Sequence, residues 1–469
     1  MQKKDWTWIA FFVLLLADTA YTFLQHRMVG LDGDMPSLIV PAPHYEAVLS
    51  EPFGWSAATG QASYASPNRF FVHQAMYHYY REVTDWIGSF TDPVRGVFLS
   101  TAFMKTGAHL LLLLLLAWFS SLREGRKTVL LAAVLIAPLF QSAGYYNPIM
   151  GLIEPAPTYT FFYAWPSVLL LLWLALLQRQ LNRQASAPPL WEVVSLYALT
   201  FLLPFTGPLV PGVICVGLAV GVGSRVISFF KTQDRNQKAK LPLIYQIAIG
   251  LLGLLGLYSL YLGTLSTEQQ ESVGIWTRYE RLPVGIWKVL TNKPGLTILL
   301  LGILLQVGLL RRIDAAALQK WMGNTVRYLL LFALLYILLI PLGGYRDYRP
   351  DIIRRDTLQP VLLVLFYLWG RASLLVIQAA GRRLWYGLPT VAILVLFTVA
   401  DITDVQQTPC QEEVLRSMAR SSKDTIQVNP DCRVLTWAEN PDQETRLSSE
   451  LLVLWGILEE GQYFEYSGD

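Results

Sequence analysis

The chain has 469 residues, of which 53% are hydrophobic and only 15% are charged. Soluble globular proteins carry about 25% charged residues, so this composition excludes an ordinary soluble protein and indicates one embedded in a lipid bilayer. A formal net charge of +3 says little by itself, and no nucleic-acid partner is expected. Three cysteines are too few for a disulfide scaffold, and the sequence contains no C-x-x-C pair, Walker loop, H-E-x-x-H or G-x-S-x-G motif.

Long apolar runs predict about eleven membrane-spanning helices, because a helix needs roughly 20 apolar residues to cross a bilayer. A cluster of proline and glycine around Thr206 and Gly212 predicts either a tight turn between the fifth and sixth spans or one kinked segment. The first span is expected to stay as an anchor, since it is too long for a signal peptide. The predicted spans cover residues 6–24, 97–118, 128–144, 158–177, 190–205, 209–229, 241–262, 294–310, 326–342, 357–380 and 384–399.

Basic residues predict the orientation of these spans. With the N-terminus in the cytoplasm, every short inner connection is basic, as the positive-inside rule requires. An odd number of spans then places the C-terminus outside, and the chain is expected in the plasma (inner) membrane. The basic residues of the inner connections are Arg123, Arg126 and Lys127; Arg179 and Arg183; Lys231, Arg235, Lys238 and Lys240; Arg311, Arg312 and Lys320; and Arg382 and Arg383.

The sequence divides into two predicted domains. Residues 1–400 form an all-α polytopic membrane domain, which includes a long first outer loop at 25–96, and residues 401–469 form a small extracytoplasmic α/β tail. From Val405 onward the tail has 12 acidic and 5 basic residues, and its patterns predict helices at 412–418 and 444–458 and a strand at 433–437. Cys410 and Cys432 are predicted to pair there, because disulfides persist outside the cytoplasm.

The first outer loop carries the first candidate site. Asp32 and Asp34 are separated by one residue, so both carboxylates can approach one point, where they bind a divalent cation or serve as a base. The same D-G-D sequence is also an ordinary turn. Residues 70–90 are rich in aromatics with interleaved charges and predict an amphipathic helix in the outer interface. Arg69 and His73, where this helix begins, are candidate substrate-binding residues.

A second candidate site lies in the outer loop at 343–356, which is unusually basic for an outer connection. Arginine binds phosphate with paired N–H donors, and basic pockets beside spans bind lipid head groups. The opposing interpretation pairs these arginines with Asp347, Asp351 and Asp356, or with ordinary anionic lipid. The four arginines, within ten residues, are Arg346, Arg349, Arg354 and Arg355.

Ionisable residues also lie inside or close to the predicted spans. Lys105 and His109 are four residues apart and therefore share one face of the second span. Asp18 of the first span is predicted to meet Lys105, because both lie at a similar depth and an unpaired charge there is costly. Lys105 and His109 are candidate substrate-binding residues, although structural pairing explains these charges nearly as readily, and a lone histidine such as His109 is more often a packing residue. Glu154, in the outer loop at 145–157, is a possible second acidic group for the outer site.

This layout resembles the GT-C superfamily of polytopic glycosyltransferases, which use polyprenyl-phosphate sugar donors at the outer membrane face. The resemblance covers the order of spans and loops, while the common D-E-x-Y-Y type signature and a large outer domain are absent. It implies sugar transfer, with acidic residues near the reacting sugar and arginines at the donor phosphate. The implied acidic residues are Asp34 or Asp32, with Glu154, and the implied phosphate-binding residues are Arg346, Arg349, Arg354 and Arg355.

Two other classes of protein stay open. A transporter or flippase is expected to show inverted repeats and discontinuous spans, and the break at 206–212 is the sequence feature of that kind. A non-catalytic scaffold would bind a partner through its outer tail. The glycosyltransferase hypothesis makes a specific demand: Asp32 or Asp34, with a slight preference for Asp34, and the arginines at 343–356 converge on one outer-facing cavity.

Overall fold

A computed structural model describes residues 6–122, 125–142, 149–183, 187–231, 241–268, 273–343, 351–381, 383–402, 407–437 and 445–467, without the side chains of 225–231, 324, 384 and 407–409. These ranges are almost entirely helical and contain two short strands. The helices of the first third are α1 (Thr7–Arg27), α2 (Met35–Ile39), α3 (Pro43–Glu46), α4 (Trp55–Ala58), α5 (Phe70–His78), α6 (Thr84–Phe90), α7 (Pro93–Ser121) and α8 (Arg126–Ile136).

The middle and last thirds continue the helical pattern and end in the tail. Their helices are α9 (Pro157–Tyr159), α10 (Trp165–Asn182), α11 (Leu190–Leu202), α12 (Leu209–Lys231), α13 (Leu243–Thr264), α14 (Ile275–Thr291), α15 (Gly295–Ile313), α16 (Ala315–Trp321), α17 (Arg327–Leu339), α18 (Arg355–Ala380), α19 (Leu388–Ala400), α20 (Gln407–Met418) and α21 (Thr445–Leu454). The strands are β1 (Thr425–Val428) and β2 (Tyr463–Tyr466).

Six helices are long and apolar enough to cross a membrane, judged by length and composition, which supports an all-α membrane protein. The other predicted spans coincide with helices that are shorter or bent, so the count of eleven stays a prediction. Two of these are the shorter apolar helices Arg327–Leu342 and Trp385–Ala400. The six long helices are α1, α7, the continuous stretch Pro157–Asn182, α13, α15 and α18.

The fifth and sixth predicted spans form a sharply bent pair. The helical stretches Leu190–Phe205 and Leu209–Ser224 together pass the criterion for a span, but they meet at an angle of 116°. Pro204 lies in the last turn of the first stretch, and Pro208 immediately precedes the second. Proline removes a backbone donor and crowds the preceding turn, so a straight helix cannot continue through this segment. The bend is compatible with a broken span or with a re-entrant loop.

The predicted helix at 70–90 is confirmed, and it is built from α5, a π-helical turn at Tyr79–Val83, and α6. It is amphipathic, since Met76 and Tyr80 are fully buried whereas Phe90 is 74% exposed. The helix folds back against the start of α7. A Cβ atom at Gly96 would lie 2.8 Å from the Cα atom of Gly88, so the small residue permits this close approach. Placement in the membrane interface stays a prediction.

The C-terminal tail packs on the first outer loop. One apolar cluster joins loop residues such as Met35 and Tyr80, the N-terminal half of α7, and tail residues such as Leu415 and Phe464. Trp455 reinforces the contact, because its indole Nε1 donates to the backbone oxygen of Tyr80 at 2.9 Å. The predicted boundary at residue 400 therefore lies between two parts that share a core.

The predicted strand at 433–437 is wrong. Leu435 has a φ of +54°, which extended backbone does not allow, and the strands lie instead at β1 and β2, which pair in parallel. The predicted helices at 412–418 and 444–458 correspond to α20 and α21, and the second ends early, where Gly456 adopts a φ of +68°. The predicted disulfide is confirmed, with the Cα atoms of Cys410 and Cys432 5.9 Å apart.

Candidate functional site

Asp32, in the loop that follows α1, is buried, with 2% of its surface exposed. Thr158, at the start of the helical stretch Pro157–Asn182, donates to both carboxylate oxygens, from its backbone N–H and from its hydroxyl, at 2.8 Å each. The N–H of Asp34 donates to the same carboxylate at 2.9 Å. Burial raises the pKa of Asp32, although these hydrogen bonds and the charge of Lys105 act in the opposite direction. Asp32 is therefore a rigidly held, buried carboxylate.

Lys105 of α7 is fully buried, and its charge acts on this carboxylate. Its ammonium group donates to the backbone oxygen of Pro155 at 2.5 Å. The charges that act on it belong to Glu154, Arg355 and Asp32. A buried ammonium is stable only near such acceptors and opposite charges, so Lys105 connects the first outer loop to the segment around Glu154.

Glu154 forms an ion pair with Arg355, the first residue of α18. The guanidinium Nε lies 2.7 Å from the carboxylate, and the two side chains are only 15% and 18% exposed. The contact is an ion pair rather than an aligned hydrogen bond, because Nε and Nη1 of Arg355 lack hydrogen-bond partners within the described residues. Arg355 thus keeps donor capacity that a bound anion could use.

Four sequence-predicted residues therefore interact electrostatically: Asp32, Lys105, Glu154 and Arg355. They come from the first outer loop, α7, the segment before α9, and the start of α18. We call them the charged cluster. It holds two carboxylates and two cationic groups, all largely withdrawn from water.

The charge of Asp34 acts on Tyr45, which belongs to a second group of polar residues. The Tyr45 hydroxyl donates to Glu268, which also accepts from Ser66 at 2.9 Å and lies 3.8 Å from Arg69. Glu268 was not predicted, because no motif surrounds it. Its partners tie the outer segment after α13 to the first loop.

His73 packs between aromatic rings. Its ring centroid lies 5.4 Å from that of Tyr45 and 5.1 Å from that of Phe162. Burial lowers the pKa of His73 to about 3, with the charge of Arg69 acting in the same direction, so the imidazole is neutral. Neither ring nitrogen has a hydrogen-bond partner in the part of the chain that the structure describes.

The predicted arginines of the loop at 343–356 are only partly visible. Arg346 and Arg349 lie outside the described residues. Arg354 forms two hydrogen bonds with Asp356, at 3.0 and 2.9 Å, so the interpretation as an arginine–aspartate pair holds for this residue. Asp351, by contrast, pairs with Lys288 at 2.7 Å. Arg355 is thus the described arginine of this loop that enters the charged cluster.

His109 lies one turn below Lys105, as its spacing predicts, and packs against Phe140 with ring centroids 4.5 Å apart. The sequence did not single out His26, whose ring lies 6.3 Å from that of His109. Both imidazoles are buried, and within the described ranges their nitrogens have no hydrogen-bond partners. They extend the polar region below the charged cluster.

The predicted contact between Asp18 and Lys105 is wrong. Among the described residues, Oδ2 of Asp18 is buried without a hydrogen-bond partner, and the charge that acts on this carboxylate is that of Asp401. Lys105 is instead oriented toward Pro155 and Glu154. Similar depth in the membrane does not bring two side chains together when they face different neighbours around the helix axis.

The arrangement gives no support to a divalent cation at Asp32 and Asp34. Both oxygens of Asp32 already accept hydrogen bonds from protein groups. Across the ranges with described coordinates, no group of three His, Cys, Asp or Glu side chains is arranged to hold a metal ion. Cation sites need several converging oxygen ligands.

Comparison of the chain with protein-family models, curated proteins and solved structures found no match. Fold and site together define a class: an integral membrane protein of apolar helices with a buried charged cluster beside the first loop and the C-terminal tail.

Proposed function

We propose that the protein is a glycosyltransferase that moves a sugar from a polyprenyl-phosphate donor to an acceptor at the outer membrane face. The observation that carries the proposal is the charged cluster, which combines a buried carboxylate, Asp32, with two cations, Lys105 and Arg355. Transfer from a phosphate-linked sugar needs both kinds of group in one place. The resemblance to GT-C enzymes in the layout of spans and loops supports the same reaction.

In this mechanism Asp32 accepts the proton of the acceptor hydroxyl as its oxygen attacks the sugar's anomeric carbon. Burial raises the pKa of Asp32, which makes the carboxylate a stronger base. The bond between the anomeric carbon and the phosphate oxygen breaks, and polyprenyl phosphate leaves as an anion. Lys105 and Arg355 stabilise that anion electrostatically. Glu154 balances their charge before the donor binds.

Further residues are proposed around the donor. Arg346, Arg349 and Arg354 supply positive charge near the phosphate, and Arg69 does so from the first loop. His73 and His109 are neutral or packed imidazoles whose ring nitrogens lack partners within the described ranges, so sugar hydroxyls could bond to them. Asp34 stays an alternative base, because it lies two residues from Asp32 on the same turn.

The proposed topology has eleven spans, a cytoplasmic N-terminus and an extracytoplasmic C-terminus in the inner membrane. Each predicted span coincides with a helical stretch, and the inner connections are basic. The disulfide between Cys410 and Cys432 fits an oxidising compartment. The acceptor would then approach from the side that carries the first loop and the tail.

Donor binding is the most direct test, because it needs neither the sugar nor the acceptor to be identified. Native mass spectrometry in nanodiscs would compare polyprenyl phosphate with polyprenol, which lacks the anion. We expect the phosphate to bind selectively, and Arg355→Gln, Lys105→Met and Arg349→Ala each to weaken it by about tenfold, the scale of one charge-assisted bond. Lys288→Ala, an exposed ion-paired lysine, is the control. Equal binding of the two lipids would overturn the proposal.

A transporter of a lipid-linked or anionic substrate is the second candidate, favoured by the bent pair Leu190–Phe205 and Leu209–Ser224. Discontinuous helices line substrate sites in transporters. Proteoliposomes containing a fluorescent polyprenyl-phosphate lipid would distinguish the two functions. Movement between leaflets without transfer supports the transporter.

A further inference from the structure

The turn that carries Asp32 contacts the C-terminal tail through its backbone. The N–H of Leu31 donates to the side-chain oxygen of Gln411 at 2.8 Å, although the two residues are 380 positions apart. The Gln411 amide nitrogen donates to the backbone oxygen of Arg433 at 2.7 Å and lies 3.5 Å from that of Leu31. Gln411 is 7% exposed, so these bonds are shielded from water. One tail side chain therefore joins the turn to a second tail segment.

The glycines beside Asp32 bring the turn into direct contact with the tail. A Cβ atom at Gly33 would lie 2.4 Å from the backbone nitrogen of Trp437 and 2.6 Å from the carbonyl carbon of Thr436. At Gly30 it would lie 2.9 Å from the side-chain oxygen of Gln411. A larger residue cannot be accommodated beside the backbone at Gly33 without displacement.

The disulfide lies immediately beside this contact. Cys410 precedes Gln411, and Cys432 precedes Arg433, whose backbone oxygen Gln411 binds. The covalent bond therefore holds together the two tail segments that Gln411 connects. Thr158, which is not part of the tail, holds the carboxylate of Asp32. The turn is fixed between the tail and the start of the helical stretch Pro157–Asn182.

We propose that the tail positions the Asp32 turn through Gln411, and that the Cys410–Cys432 disulfide keeps Gln411 in place. Gln411 is then a positioning residue, and the oxidised tail is part of the functional site. Only the assignment of Asp32 as the base rests on the proposed glycosyltransferase function. The mechanical link between tail and turn stands independently.

Hydrogen–deuterium exchange of the full chain in nanodiscs tests the link without any substrate. Loss of a shielded hydrogen bond exposes the Leu31 amide, so Gln411→Ala is expected to speed exchange in residues 28–36 by roughly tenfold. The double variant Cys410→Ser, Cys432→Ser is expected to change exchange in the same direction. Gln427→Ala is the matched control, because that exposed tail glutamine bonds only weakly, to Glu465 at 3.4 Å. Peptides from α7 report whether the fold is intact.

Unchanged exchange at residues 28–36 in both variants would overturn the proposal. Measurements of turnover then distinguish failure of this proposal from failure of the proposed glycosyltransferase function. In Gln411→Ala we expect the kcat of sugar transfer to fall at least tenfold while the donor KM is unchanged, because the proposed phosphate-binding cations are not in the tail. If the wild type is active and the Gln411→Ala variant keeps its full kcat, the proposed positioning role of Gln411 is also overturned. If the wild type transfers no sugar but exchange responds as expected, the glycosyltransferase function fails and the link between tail and turn is supported.

Discussion

Thr158 donates two hydrogen bonds to the carboxylate of Asp32, from its backbone and from its hydroxyl, across a separation of 126 residues. The pair fixes a buried carboxylate on which the charge of Lys105 also acts. Ionised carboxylates are costly to bury unless hydrogen bonds and nearby positive charge stabilise them. The pair therefore joins the acid of the first outer loop to the second outer segment.

Asp32→Asn is expected to lower sugar transfer by about 100-fold or more, since a general base contributes roughly that much. Asp34→Asn is expected to have a smaller effect, because Asp34 is only half buried. The measurement is release of polyprenyl phosphate from the donor. Thermal midpoints serve as the folding control, because an asparagine amide fits less well against the two donors of Thr158. Full activity in both variants would remove the catalytic role from this turn.

Thr158→Val is expected to shift the pH dependence of transfer. The hydroxyl of Thr158 lowers the pKa of Asp32, so its removal raises that pKa further. A base acts only when it is ionised, so the acidic limb of the activity profile moves to higher pH. The other groups facing this carboxylate, the N–H of Asp34 and the ammonium of Lys105, are unchanged. Thr264→Val, whose hydroxyl bonds locally to Tyr261, is the control, and an unshifted profile would argue against Asp32 as the base.

Glu154→Gln and Arg355→Gln are expected to change phosphate binding in opposite directions. The first substitution leaves Lys105 and Arg355 without their shared counter-charge, and therefore strengthens binding of polyprenyl phosphate. The second removes a cation and weakens binding. Native mass spectrometry measures phosphate binding by both variants. Raising the ionic strength should reduce the stronger binding of Glu154→Gln only partly, because the side chains of Glu154 and Arg355 are largely shielded from solvent. If both variants bound polyprenyl phosphate more tightly, or both bound it more weakly, the result would contradict the roles assigned to Glu154 and Arg355.

Tyr463→Cys is expected to react with a membrane-impermeant maleimide in intact cells, because Tyr463 is 43% exposed in the proposed extracytoplasmic tail. Arg126→Cys, at the exposed start of α8, is expected to react only after permeabilisation. Both variants use a background in which Cys215 is replaced. Labelling of Arg126→Cys in intact cells and of Tyr463→Cys only after permeabilisation would show that the topology is the inverse of the one proposed.

Local features were predictable from the sequence. Hydropathy identified the helices, since apolar length is a property of contiguous residues. The helix at 70–90 appears with its predicted limits as α5, a π-helical turn and α6, because helical periodicity is also local. The pairing of Cys410 with Cys432 followed from compartment and count, and the structure confirms it. The strand at 433–437 failed because Leu435, buried in the apolar cluster of the tail, adopts a positive φ that local patterns do not reveal.

The composition of the site depended on the tertiary structure. The sequence by itself determined that this is a helical membrane protein, and it predicted acidic and basic residues on the outer side. It singled out Asp32, Lys105, Glu154 and Arg355, but not Thr158, Glu268 or Gln411, which hold the site residues or their neighbours in place. Each of these contacts joins segments more than 100 residues apart, and local patterns carry no information about such pairings. Asp18 and Lys105 failed to meet because rotation about each helix axis, set by packing, decides which side chains touch.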